Sequence, residues 1–166
     1  MGPLQSMHKE HLSLLLIEDN FVDALLTFKA IQQETRLKNV SLSHFHTMGE
    51  AEKFIANNKD IDLILLDLGL PDTKGGMDSF AHIQSIAPNI PVVVLTGTDN
   101  AAMAFDLVKS GAEELVVKGH NKRLKEAIDF ALCRHKLLAA LKHSLNGRIE
   151  AKEQVISRIK GNYSCN

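Results

Sequence analysis

The chain has 166 residues, of which 45% are hydrophobic and 23% charged, and its formal net charge at pH 7 is −1. This composition allows a buried core and argues against intrinsic disorder and against a surface built mainly to bind nucleic acid. No apolar run reaches the roughly 18–20 residues of a membrane span, and the N-terminus lacks the apolar segment of a signal peptide.

The predicted elements alternate between strands and helices along most of the chain. In chain order, the predicted strands are Leu12–Ile17, Val40–Phe45, Ile61–Leu66, Pro91–Leu95 and Glu114–Val117. The predicted helices are Phe21–Gln33, Met48–Asn57, Met77–Ala87, Asn100–Ser110 and a fifth that begins at Asn121 and continues past Leu141. This alternation is typical of an α/β fold, in which helices cover both faces of a parallel sheet.

Charged and hydroxyl side chains follow four of the predicted strands, where each strand ends. Glu18 and Asp19 follow the first strand, Asp67 the third, Thr96 the fourth and Lys118 the fifth. Ligands of open α/β sheets bind outside the carboxyl ends of the strands, so we expect these side chains to converge at one rim. Any one of them alone is typical of a turn or a solvated surface. Their coincidence on separate strands favours a functional site.

The residue types at this rim predict phosphoryl chemistry. Clustered carboxylates repel one another, and a hard cation such as Mg²⁺ relieves that repulsion with oxygen ligands. Lys118 and Thr96 can contact phosphoryl oxygens, and Asp67 can accept the group as an acyl phosphate. Positioning and charge neutralisation supply most of the catalysis in such a site.

In order and spacing these motifs resemble the receiver domain of bacterial response regulators. The motifs are Leu14–Asn20, Asp62–Asp72, Pro91–Gly97 and Gly111–Lys118, within a likeness that spans roughly Ser13 to Arg134. The resemblance implies a flavodoxin-like, doubly wound, five-stranded parallel sheet of order 2-1-3-4-5, with five helices of which the last is extended.

The resemblance also implies a role for each residue in a two-component phosphorelay. Asp67 would accept a phosphoryl group from a sensor histidine kinase or a phosphotransfer protein. Glu18, Asp19 and Asp67 would hold Mg²⁺ with the backbone carbonyl of Gly69. Thr96 and Lys118 would contact the phosphoryl group, and Gly97 would leave space beside it. We expect the signal to pass through surface or C-terminal helix interactions, without a DNA-binding output domain.

Two positions depart from the family pattern. Gly119 follows Lys118 where the family usually has proline, often after a cis peptide; a cis bond before a residue other than proline costs about 2.5–4 kcal/mol. We therefore expect a trans Lys118–Gly119 bond and an altered loop. Leu115 stands where the family commonly carries a tyrosine or phenylalanine whose rotation reports phosphorylation, and leucine cannot report in that way.

The sequence predicts three segments. Residues 1–10 form a tail that we interpret as vector-derived, residues 11–134 the receiver domain, and residues 135–166 a helical extension. Apolar residues of the extension recur at spacings of three, four and seven, interrupted by Lys152: Leu138, Leu141, Leu145, Ile149, Ile156 and Ile159. This stripe favours pairing with a second copy or a partner over a helix that frays in solvent. The two cysteines, Cys133 and Cys165, do not suggest a disulfide framework, so we expect a soluble cytoplasmic protein.

Other functions are less consistent with the residues. A haloacid-dehalogenase-like phosphohydrolase would need a second Asp two positions after Asp67, where this chain has Gly69. A degenerate receiver that acts as a phosphorylation-independent binding or dimerisation module remains the alternative, suggested by Leu115 and Gly119. The phosphate-binding loop of P-loop NTPases does not occur. None of the 8 histidines lies in a metal-ligand motif; His44 and His46 are interpreted as solvated or hydrogen-bonded.

Overall fold

The computed structural model describes residues 11–33, 39–97 and 101–162, without the side chains of residues 101, 102 and 158–162. The predicted N-terminal tail, Cys165 and the side chain of Ile159 lie outside this part. The strands are β1 (Leu12–Ile17), β2 (Val40–Phe45), β3 (Leu63–Asp67), β4 (Val92–Thr96) and β5 (Glu114–Val117). The helices are α1 (Phe21–Gln32), α2 (Met48–Asn57), α3 (Gly76–Ile86), α4 (Ala101–Lys109) and α5 (Asn121–Asn162).

The strands form one parallel sheet of order β2-β1-β3-β4-β5. The predicted fold class, strand order and five helices are confirmed, with small differences at the ends of elements. The predicted ends of β3 and β4 were one residue early, because Asp67 and Thr96 still pair in the sheet as the last residues of their strands. Their side chains are thereby fixed by strand geometry at the carboxyl rim.

The two faces of the sheet bury different kinds of helix surface. One face packs large side chains of α2 and α3, such as Ile55, Phe80 and Ile83, against alternate strand residues. On the other face, α1 and α5 contribute mainly small residues: Ala24, Ala30, Ala127 and Ala131. Small side chains let these two helices lie close to the strands, which places the first turn of α1 beside the rim.

Helix α1 differs from its sequence pattern in the face that it buries. Four of the five large apolar residues whose spacing predicts the helix are exposed: Val22, Leu25, Leu26 and Phe28. Ala24, Thr27, Ala30 and Ile31 are buried instead. Apolar spacing therefore identified the helix but not its inward face, because close packing on this side of the sheet favours small residues.

The chain divides into two compact units, Met1–Leu132 and Cys133–Asn166. In the second unit, apolar side chains of α5 are at least half exposed: Leu137, Leu138, Leu141, Leu145, Ile149, Val155 and Ile156. Cys133 is a free thiol. Among the described helices, none is apolar over a long enough stretch to cross a bilayer.

Candidate functional site

The first two carboxylates of the rim lie in the turn between strand β1 and helix α1. Glu18 directly follows β1 and is fully buried, whereas the neighbouring Asp19 is exposed. The Glu18 Oε1 atom accepts a hydrogen bond from the backbone N–H of Asn20 at 3.1 Å. Asn20 is in turn the N-cap of α1, and its side chain accepts from the N–H groups of Val22 and Asp23. The turn from β1 to α1 thus holds the Glu18 carboxylate in place through Asn20.

Lys118 lies at the centre of the site. Its Nζ is 2.7 Å from Glu18 Oε2, 2.9 Å from Asp67 Oδ1 and 3.0 Å from Asp23 Oδ2. Burial by itself would lower the pKa of Lys118, but hydrogen bonds to Glu18, Asp67 and Asp23 outweigh it and raise this pKa well above its usual range. Lys118 is therefore a permanent cation, and it joins the ends of β1, β3 and β5 to helix α1.

Three of the rim carboxylates could share one cation. Glu18, Asp19 and Asp67 can each place an oxygen within 4.8 Å of the other two. Burial, followed by repulsion from Asp67, raises the pKa of Glu18 despite the opposing contact with Lys118. Glu18 Oε2 is buried and contacts Lys118 Nζ at 2.7 Å. Crowded hard oxygen donors with spare coordinating capacity fit a cation such as Mg²⁺.

Strand β4 brings Thr96 to the same rim. The side chain of Thr96 is buried. The backbone carbonyl oxygen of Thr96 accepts a hydrogen bond from the backbone N–H of Lys118 at 2.8 Å. The backbone thus ties Thr96 to the residue that bears the ammonium. A Cβ added to Gly97 would meet no atom within 4 Å, so this position leaves open space beside the rim.

The loop after β3 is tied to Asp67 and to helix α2. The N–H of Gly69 donates to Asp67 Oδ2 at 3.1 Å, and a Cβ on Gly69 would lie only 3.2 Å from the same oxygen. Further along, Asp72 accepts hydrogen bonds from the N–H groups of Met48 and Gly49 at the start of α2. Burial would raise the pKa of Asp72, but these two backbone bonds together lower it. The loop is thereby braced against a second helix.

Two residues enter the site that the sequence motifs did not assign to it. Asp23 contacts Lys118. Its position in the first turn of the helix that begins at the rim is the sequence feature that could have indicated this contact. His44 Nε2 donates to the carbonyl oxygen of Glu18 at 2.8 Å, since a carbonyl can only accept. This contact agrees with the interpretation of His44 as a hydrogen-bonded histidine beside the acidic residues.

Comparison with known proteins identifies the family. Residues 14–129, well over half of the chain, match the family profile of the response regulator receiver domain. The chain belongs to this family. The receiver domain of a LuxO repressor protein from Vibrio parahaemolyticus superimposes with a TM-score of 0.67 at 28% identity, covering 79% of this chain and 97% of that one.

Sequence relatives of this receiver domain differ in length. The chemotaxis protein CheY of Listeria monocytogenes is 28% identical over 127 residues, covering 72% of this chain and 98% of that protein. The swarming motility regulation protein RssB of Serratia marcescens is 29% identical over 107 residues, 64% of this chain and 46% of that protein. The chain thus spans half or less of the length of several curated relatives that it matches. A structure of the regulator Rcp1 in a Mn²⁺-bound form has a TM-score of 0.57 at 27% identity, over 70% of this chain and 88% of that one.

The two departures from the family pattern can be located in the fold. Leu115 is half-buried in β5 and packs against the core on the α2, α3 and α4 side. The Lys118–Gly119 bond is trans, as expected, and Gly119 has a φ of +88°, in the region that favours glycine. The loop after Lys118 therefore takes a path that depends on this glycine.

Proposed function

We propose that this receiver domain accepts a phosphoryl group on Asp67 from a phosphohistidine of a sensor kinase or a phosphotransfer protein. The observation that carries the proposal is the position of Lys118 Nζ, which contacts both Asp67 and Glu18 within 3 Å. A fixed ammonium at the acceptor neutralises the charge that a phosphoryl group brings.

The transfer requires one substitution at phosphorus. A carboxylate oxygen of Asp67 attacks the phosphorus, the bond from phosphorus to the donor imidazole nitrogen breaks, and the imidazole leaves after taking a proton from water. Lys118 stabilises the phosphoryl oxygens, and Thr96, held by its backbone next to Lys118, is proposed to donate its hydroxyl to one of them. The open space at Gly97 accommodates the group.

Glu18, Asp19 and Asp67 would hold Mg²⁺, with the backbone carbonyl of Gly69 as a further ligand. The cation would neutralise charge on the transferred group and screen the carboxylates from one another. The clustering of these three carboxylates, which can place oxygens within 4.8 Å of one another, supports this assignment.

Mass spectrometry after treatment with acetyl phosphate and Mg²⁺ tests the proposal. We expect the intact mass of the wild type to rise by one phosphoryl group, and the gain to disappear in Asp67→Asn and with a chelator. Asp78→Asn is the matched control, because Asp78 is an exposed carboxylate in the first turn of α3 whose Oδ2 accepts from the Lys74 N–H. Equal labelling of Asp67→Asn and wild type would exclude Asp67 as the acceptor. Absence of labelling in all proteins would favour a degenerate receiver.

We also propose that the C-terminal part of α5 pairs with the same helix of a second copy. Four of its exposed apolar residues fit a heptad repeat, in which Leu138 and Leu145 occupy d positions and Ile149 and Ile156 occupy a positions. Lys142 and Lys152 occupy the other a and d positions of this stretch. In a parallel pair this register sets Arg148 at a g position opposite Glu153 of the second copy at an e position. Charge complementarity thus supports a second copy as the occupant.

Sedimentation of the full chain over a range of concentrations tests the pairing. Leu145→Asn should weaken the dimer, because it places an amide in the apolar seam. Leu137→Asn is the matched control, since Leu137 is an equally apolar and exposed residue at a c position outside the seam. An equal effect of both substitutions, or a monomeric wild type at all concentrations, would contradict the proposal.

A further inference from the structure

Asp23 is a rim carboxylate that the proposed phosphoryl and metal contacts do not use. Its Oδ2 lies 3.0 Å from Lys118 Nζ, and its side chain is 34% exposed. The first turn of α1 holds it in place, because the Asn20 side chain accepts hydrogen bonds from the N–H groups of Val22 and Asp23. Asp23 is therefore a fixed anion beside a permanent cation.

The contact with Asp23 differs from the other two contacts of Lys118. An ammonium has three N–H bonds, and Lys118 directs them toward three carboxylates. Glu18 and Asp67 are the proposed metal ligands, and Asp67 is also the proposed acceptor. Both would therefore change partners during phosphoryl transfer. The contact between Lys118 and Asp23 is the one that can persist unchanged.

Lys118 also has space in which to move away from the acceptor. Lys118 and Asp23 both line a cleft that is partly open to solvent, together with Thr27, Gly119 and Leu124. A lysine side chain has many rotamers, and holding its end in one place costs conformational entropy. Without the carboxylate of Asp23, the ammonium could turn into this cleft.

We infer that Asp23 is a positioning residue that holds the Lys118 ammonium at the acceptor carboxylate during phosphoryl transfer. The inference rests on the proposed function of Asp67. Asp23 acts through Lys118 and does not touch the phosphoryl group. Its loss should therefore lower the maximal rate of phosphorylation and leave the Mg²⁺ requirement nearly unchanged.

The test measures phosphorylation by acetyl phosphate at a series of Mg²⁺ concentrations, from which the maximal rate and the half-saturating Mg²⁺ concentration are obtained separately. We expect Asp23→Ala to lower the maximal rate about 5–10-fold, because a displaced ammonium stabilises the phosphoryl group less well. Its half-saturating Mg²⁺ concentration should change less than about twofold. Asp23→Asn should fall between alanine and wild type, and Asp23→Glu should restore most of the rate. Thermal unfolding of each variant shows whether it is folded.

Three outcomes would overturn the inference. The first is a maximal rate of Asp23→Ala within about twofold of the wild type. The second is a loss that appears only as a higher Mg²⁺ requirement, which would make Asp23 a long-range attractor of the cation. The third is an equal loss in Asp78→Asn, the control of the same charge. Asp67→Asn in the same series separates the two proposals: if it is labelled like the wild type the proposed function fails, whereas unchanged Asp23 variants alone refute only the positioning role.

Discussion

The carboxyl rim of the sheet and the C-terminal part of α5 depart from ordinary protein surfaces in opposite ways. The rim buries charge: Glu18 is fully buried, Asp67 is 6% exposed, and Lys118 contacts three carboxylates. The helix after Leu132 exposes apolar side chains at heptad spacing instead. Buried charge is costly unless it is paired, and exposed apolar stripes mark contact surfaces.

The two regions differ in the kind of partner that each one suits. The rim is crowded with anions, so it is suited to a cation and a phosphoryl group. The stripe on α5 has no such polar preference, so it is suited to another apolar helix. Under the proposed functions the rim would accept the phosphoryl group and the stripe would form the dimer, so substitutions in one region should leave the function of the other intact.

Among these predictions, Lys118→Met should have the largest effect, both on the free energy of unfolding and on phosphorylation. Three carboxylates would lose their shared ammonium, which should lower the free energy of unfolding by about 3 kcal/mol. Labelling by acetyl phosphate should fall at least about 100-fold, because the developing charge loses its nearest cation. Chemical denaturation and intact mass measure the two effects, while the dimer affinity should stay unchanged. A parallel loss of self-association would show that the two regions are coupled.

Mg²⁺ should stabilise the rim and do so through Glu18. At a tenfold excess over its dissociation constant, a bound cation adds about 1.4 kcal/mol to the free energy of unfolding. Thermal unfolding of the wild type should shift upward by several degrees with Mg²⁺ relative to chelator. Glu18→Gln should lose most of this shift, whereas Asp78→Asn should keep it. An identical shift in Glu18→Gln would remove Glu18 from the proposed ligand set.

A charge exchange on α5 tests the parallel register of the proposed dimer. Arg148→Glu alone should weaken the parallel pair about tenfold, because it replaces two attractive contacts per dimer with repulsive ones. Combining it with Glu153→Arg should restore the affinity. Sedimentation equilibrium measures both proteins, and failure of the double substitution to recover would argue against the parallel arrangement. Neither protein should show altered phosphorylation.

The smallest effect on the free energy of unfolding should come from a substitution of Asp72, at the edge of the rim. Asp72→Ala removes the acceptor for two N–H groups at the start of α2 and should cost about 0.5–1 kcal/mol. Because the pKa of Asp72 is lowered in the folded state, its stabilisation is complete above its ordinary value of 3.8 and is lost as the pH falls through the lowered pKa. Urea denaturation at pH 7 and pH 5 should therefore give the same difference between the two proteins. A difference already smaller at pH 5 would contradict this account.

Much of the fold could be predicted because the sheet is buried on both faces. Strands such as β3 and β4 are continuous apolar runs, and the residues that end them were placed at one rim by the general geometry of parallel sheets. The observed meeting of Glu18, Asp67 and Lys118 follows from that rule.

The remaining features depend on packing that spacing along the chain does not express. The inward face of α1 includes Ala24, Ala30 and Ile31, whereas the other large apolar residues of this helix are exposed. The sequence does not place Asp23 at the rim, because this residue lies in the first turn of a helix and not at a strand end. The bond from Asp72 to α2 joins segments 23 and 24 residues apart, with no local pattern to indicate it.

Gly119 also limits how this sequence could change in evolution. Proline fixes φ near −65°, whereas this residue has a φ of +88°. Proline at position 119 would thus force the backbone to rotate next to Lys118. A change from glycine to proline at position 119 would therefore also require a different path for the loop after β5.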